Sequence, residues 1–133
     1  LENFSQSSGS GAGTLGDIAY ALRRTGDDVR AGKALELMSD AIDYQLKGGS
    51  KHPALAFTRA YLAMLENDPD AALSHFVRAV DRGFMERNDF PDFVEAFKPL
   101  VGDPRFDALV VRMNEKRNEQ RARLDLPPLE LDA

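Results

Sequence analysis

Between residues 15 and 123, apolar side chains recur three and four positions apart, and no stretch alternates apolar with polar as a half-buried strand does. Ile18, Ala19 and Leu22 make one such stripe, and Ala34, Leu35, Met38, Ala41 and Ile42 a second. Leu55, Ala56, Ala60, Ala63 and Met64 make a third, and Leu73, Phe76, Val77 and Val80 a fourth. That spacing gathers the apolar groups on one face of a helix, so the chain is expected to be all-α. Punctuation sets the helix limits. A first helix is expected over 15–24, stopped near Gly26, and a second over 30–45, ended by Gly48 and Gly49 because glycine accepts the left-handed cap conformation. A third begins at Pro53, where a missing amide proton costs nothing in the first turn. The fourth runs from Asp68-Pro69, an N-cap followed by proline, to Gly83. A short helix over 91–98 and a long one over 104–124 are expected to be divided by Pro99 and Gly102.

The 133 residues suffice for one domain. Its helical part is expected over 15–124, between a flexible linker over 1–14 (LENFSQSSGSGAGT) and a disordered, extended tail over 125–133 carrying Pro127 and Pro128. No cysteine is present, which excludes disulfide staples and cysteine-ligated zinc. A net charge of -5 argues against nucleic acid as the partner. No apolar run approaches the roughly 20 residues that span a bilayer, so no membrane insertion is expected. The chain opens on Leu1 without a signal-peptide pattern and reads as a piece of a longer protein. Cytoplasm is the default compartment, with periplasm the alternative if the piece is joined to a membrane-anchored regulator.

Several motifs suggest chemistry and are set aside on physical grounds. Gly11, Gly13 and Gly16 spell GxGxxG before a helix, yet a dinucleotide site needs a buried strand ahead of the first glycine, and here the preceding residues are polar linker. Residues 26–33 faintly resemble a phosphate loop, but five residues separate the glycines and Ala34 stands where the magnesium-binding hydroxyl would be. His52 and His75 lack ligand partners at metal spacing, so surface or cap roles are expected and no metal. Asp89, Asp92 and Glu95 are spaced as on a solvated helix face rather than as an acid and base. Arg112, Lys116, Arg117, Arg121 and Arg123 outnumber Glu115 and Glu119, a local surplus of five minus two that could meet an acidic partner but suits a helix C-terminus equally.

The chain also repeats itself. Ala19-Tyr20 and Ala60-Tyr61 stand 41 residues apart, as do Gly26 and Asn67, whereas Ala34, Met38 and Ala41 precede Ala72, Phe76 and Ala79 by 38. The difference is assigned to three extra residues in the first inter-helix turn, within residues 27–33. Ala60-Tyr61, the turn Asn67-Asp68-Pro69-Asp70, then Ala72-Leu73, Phe76 and Ala79 resemble the tetratricopeptide repeat, with two repeats over 15–83. Trp is missing from the second repeat, and Asn67 replaces the usual turn glycine. Pro99-Leu100 and Asp103-Pro104-Arg105-Phe106 with Leu109 are similar to the end segment of repeat regions fused to bacterial nucleotide cyclases, kinases and winged-helix regulators. Asp103 would cap the last helix, Pro104 would open it, and Phe106, Leu109, Val110 and Met113 would cover the apolar end of the array.

The resemblance implies a helical solenoid with a C-terminal capping helix, and a groove lined by first-helix residues. These are Tyr20, Arg23 and Arg24 in the first repeat and Phe57, Tyr61, Met64 and Leu65 in the second. Aromatic and Arg side chains of this kind commonly carry binding energy. Packing against neighbouring helices is the competing role for Phe57 and Tyr61. Family members that clamp chaperone carboxylates use Lys and Asn at groove positions that here carry Gly, Tyr, Ala and Phe, so that activity is not expected. The expected function is a non-enzymatic protein-protein interaction module of a bacterial regulatory or signalling protein, with no cofactor. Its partner would be a peptide segment or a neighbouring domain of the same chain. The alternative is a structural homodimerisation domain serving an upstream catalytic or DNA-binding module.

Overall fold

The structure, a computed structural model, describes residues 9–83 and 95–128. These residues contain five α-helices and one 3-10 segment, and no strand. Helices α1 (Gly9–Arg24) and α2 (Asp28–Lys47) form one hairpin, and α3 (Pro53–Leu65) and α4 (Pro69–Asp81) a second. The 3-10 segment Glu95–Leu100, called the strap below, lies against α3, and α5 (Pro104–Arg123) packs on α4. The short helix expected over 91–98 is thus 3-10 over its described part, and it includes Pro99 rather than stopping before it. A 3-10 turn accommodates that proline because it is short and loses few backbone bonds. Residues 91–94 lie outside the described part.

The two hairpin turns are the same object. Gly26 and Asn67 both adopt left-handed backbone, with φ 84° and 60°. The amide of Asp27 donates to the Leu22 carbonyl and that of Asp68 to the Ala63 carbonyl, each at 2.9 Å. Both aspartates then cap the next helix: Oδ1 accepts from Arg30 N at 3.2 Å and from Ala71 N at 3.1 Å. Every one of these equivalences has the offset 41, so the first turn holds no three extra residues. Residues 28–33 are already helix, and the 38-residue echo arises because α2, with 20 residues against 13 in α4, carries more than one alanine-rich turn. Asn67 fills the place of glycine because its short polar side chain tolerates this backbone region.

Helix α1 starts at Gly9, six residues before its expected start and inside the stretch read as linker. Burial explains the extension, since Ala12 and Leu15 are 0% and 1% exposed. The GxGxxG residues therefore lie along a helix, not in a loop. A Cβ at Gly16 would come within 2.8 Å of the Tyr61 ring and 3.1 Å of Met38, so this glycine lets α1 approach α3 closely. At the other end, Arg121 Nε donates to the Pro127 carbonyl at 2.7 Å and the Leu126 amide returns to the Arg121 carbonyl at 2.9 Å. Residues 125–127 are thus hydrogen-bonded back to the last turn of α5.

The core is aromatic at its centre. Phe76 of α4 meets Phe57, Phe97 and Phe106 edge-on, with centroids 6.2, 6.0 and 5.7 Å away. Phe76, Phe97 and Phe106 are essentially unexposed. At the start of α5, Asp103 Oδ1 accepts from Arg105 N at 2.9 Å and Pro104 occupies the first turn, while Phe106, Leu109 and Met113 are buried and Val110 is half-buried against the core. Arg105 also reaches Asp70 at 3.1 Å, tying the start of α5 to the start of α4.

Candidate functional site

A cleft of about 490 Å³ opens where the C-terminal ends of α1 and α3 face the strap. Helix α1 contributes Tyr20, Arg23 and Arg24, and α3 contributes Met64 and Leu65. Asn67 and Pro69 close one end, while Glu95, Ala96, Pro99 and Leu100 form the opposite wall. The side chains brought here follow from helical phase: on α1 the buried stripe runs through Ala12, Leu15 and Ala19, leaving Tyr20, Arg23 and Arg24 beside it.

Five of the seven residues expected in a groove thus line one cleft. The other two, Phe57 and Tyr61, lie deeper and are covered by the strap. Phe57 stacks on Phe97 with centroids 5.5 Å apart and planes at 20°, and Tyr61 tilts against the same ring at 6.1 Å. Tyr61 is buried, and its hydroxyl donates to Asp17 Oδ1 at 2.5 Å. Burial, then the bond to Asp17 and its charge, push the phenol well above its ordinary range, so it is a neutral donor.

The polar rim has a defined wiring. Arg24 Nη1 meets Glu95 Oε2 at 2.9 Å, and the Tyr20 hydroxyl donates to the same oxygen at 3.2 Å. The Arg24 guanidinium also sits 5.8 Å over the Tyr20 ring, a cation-π arrangement that holds it in place. Lys98 approaches the other Glu95 oxygen at 3.4 Å. The Tyr20 hydrogen bond, then the Lys98 bond and charge, then Arg24 hold the Glu95 carboxyl below its usual range. Arg23 donates instead to the Leu65 carbonyl and fixes a positive charge at the end of α3. The result is an apolar trough with a cationic rim that already grips a carboxylate.

Sequence reasoning missed the strap's part in this site. The pair Phe97 and Leu100, both buried, was the available signal, but an irregular 3-10 turn has no long periodicity to reveal which face it presents. Asn67 and Pro69 were assigned to the turn and also wall the cleft.

The remaining candidates fall elsewhere. Gly26 and Lys33 belong to a turn and a helix, where Lys33 pairs with Glu36 at 3.7 Å. His52 caps α3, its Nδ1 accepting from Ala54 N at 3.1 Å. Along the basic stripe, Arg112 pairs with Asp81 at 2.5 Å, Lys116 donates to the Val80 carbonyl at 3.0 Å, and Arg121 holds Pro127. Those cations are engaged within the chain. Asp89 and Asp92 lie outside the described residues. Among the described residues, no three metal-ligating side chains converge, and no helix is long and apolar enough to cross a membrane.

A second cleft, of about 460 Å³, lies between α2, α3 and α4, with Asp43, Arg59, Glu66 and His75 in its walls. His75 Nδ1 is buried there without a hydrogen-bond partner. Desolvation first, then the Arg59 and Arg78 charges, lower the pKa of this imidazole.

In comparisons with known proteins, the chain matches no protein-family model, no curated protein and no solved structure.

Proposed function

We propose that the chain is a protein-protein interaction domain of tetratricopeptide-like design, built from two helix hairpins closed by α5, that captures a partner segment in the cleft between α1, α3 and the strap. One observation carries this reading: Tyr20, Arg23, Arg24, Met64 and Leu65, drawn from two helices, share one open cleft that is apolar below and cationic above. Affinity comes from covering the apolar trough, and orientation from the Arg24 guanidinium. The domain acts by binding rather than catalysis, a reading supported by a described lining that holds a single carboxylate, Glu95, and no histidine, serine or threonine to pair with it. The Asp103-Pro104-Arg105-Phe106 segment supports a place at the end of the helical array of a bacterial regulatory or signalling protein.

The test is affinity capture from a lysate of the source cell with three baits: the chain as it stands, Arg24→Glu, and Arg123→Glu on the far end of α5. A partner held by the first and third baits and lost from the second is the expected result. Partners indifferent to Arg24→Glu would remove the cleft from the account.

A further inference from the structure

Resting on that reading of the cleft, we infer that Glu95 is an internal stand-in for a partner's carboxylate: the cleft takes a peptide segment with an acidic residue beside a medium-sized apolar one, and Glu95 leaves Arg24 when that segment enters.

Three observations converge. The first is that the cation is prepared for an anion. Arg24 is oriented over the Tyr20 ring, Tyr20 adds a hydroxyl donor, and both groups aim at a single oxygen, Glu95 Oε2. Two donors from one helix turn thus define a carboxylate position at the rim of the trough.

The second is that the present occupant is exchangeable while the strap is not. The Arg24 and Glu95 side chains are 64% and 43% exposed, and an ion pair open to water on that scale contributes little net stability. Two positions on, Phe97 is 0% exposed and stacked on Phe57, and Leu100 is 3% exposed. Glu95 is the first described residue of the strap, and Phe97 and Leu100 pin the rest. Releasing its carboxylate therefore needs rotation of one solvated side chain, with no uncovering of the aromatic core.

The third is the wall beside that carboxylate position. Met64 and Leu65 of α3, Pro69 and Leu100 give an apolar surface within the same cavity, next to the charged rim. Arg23 is held by the Leu65 carbonyl and keeps a second positive charge near it. A ligand with only a carboxylate would use the rim and leave the trough wet, and a purely apolar ligand would leave Glu95 where it is. A short acidic-apolar segment uses both.

The experiment titrates the isotope-labelled chain with two synthetic peptides, acetylated and amidated: Leu-Glu-Leu-Glu-Leu and its counterpart Leu-Gln-Leu-Gln-Leu. Amide shifts are followed in the natural chain, in Glu95→Gln and in Arg24→Gln, each checked for an unchanged fold by its remaining spectrum. The expected result is that the glutamate peptide shifts the amides of Tyr20, Arg24, Met64 and Leu65 in the natural chain and that added salt weakens it. Glu95→Gln should bind it about two- to fivefold more tightly, the range that removing an exposed competing charge supplies, and Arg24→Gln should lose it. Binding by the natural chain that is unchanged or weakened in Glu95→Gln overturns the stand-in role and leaves the cleft as a binding site. Equal binding of the glutamine peptide overturns the acidic class of ligand. No shift at the cleft with either peptide in any of the three proteins overturns both this inference and the reading of the cleft.

Discussion

Phe97 joins parts of the molecule that the chain keeps far apart. Its ring touches Phe57 and Tyr61 on α3 and Phe76 on α4, and it is fully buried. Phe97→Ala should lower the unfolding free energy by about 3–5 kcal/mol, the usual cost of emptying a buried aromatic site, as read by urea denaturation. A cost under about 1 kcal/mol would mean that the strap is not part of the core. His75 gives a prediction with a sign. Its folded pKa lies below the ordinary 6.5, so the unfolded chain takes up a proton first as the pH falls. Stability from this site is fully present above 6.5 and declines below it, toward the folded value. His75→Gln should flatten that part of the pH-stability curve, measured by thermal melts between neutral and mildly acidic pH. An unchanged slope below neutrality would assign the acid sensitivity to other groups.

At the scale of elements, α1 separates two kinds of helical glycine. Nothing lies within 4 Å of a Cβ built at Gly13, whereas one at Gly16 meets Tyr61 and Met38. Gly13→Ala should therefore stabilise by up to about 1 kcal/mol through helix propensity alone. Gly16→Ala gains the same propensity but pushes on a buried ring, for a net loss on the order of 1 kcal/mol. Paired denaturation curves of the two variants check this, and a gain at both sites would refute the close approach of α1 to α3. The same glycines show what could be read in advance. The all-helical class rests on periodicity, and the stop at Gly26, the Asp68-Pro69 start and the Asp103-Pro104 start on a cap or a left-handed residue, all visible in the letters, whereas the Asp27 cap was hidden by the misleading 38-residue echo. The beginning of α1 is not visible either, because its Ser and Gly residues are poor helix formers and the burial of Ala12 that holds it is tertiary. The cleft was half legible for a related reason. The likeness to the tetratricopeptide repeat suggested grouping Tyr20, Arg23, Arg24, Met64 and Leu65, but only the path of the strap decides that Phe57 and Tyr61 lie against Phe97 and that Glu95 reaches Arg24.

Across the whole molecule, the strap changes what a stack of hairpins would otherwise be. Hairpins that touch only their neighbours unfold piecemeal, each with its own stability. Here buried Tyr61, packed on Gly16 of α1 and bonded to Asp17, also meets the ring of Phe97, while Phe97 meets Phe76 of the second hairpin and Phe76 meets Phe106 of α5. Chemical unfolding should accordingly be a single transition, with far-ultraviolet dichroism and tyrosine fluorescence giving coincident curves. Two separated transitions would show that the hairpins are energetically independent.

The long reach of the strap also has a bearing on birth order at the ribosome. Both hairpins are complete once Asp81 has been made, but the rings of Phe57 and Phe76 stay uncovered until Phe97 and Phe106 follow. A nascent chain stalled near residue 83 would present a sticky aromatic face, the kind of surface that chaperones hold and that aggregates when they do not. The cleft, whose far wall is the strap, comes into being only after residues 95–100 have been made.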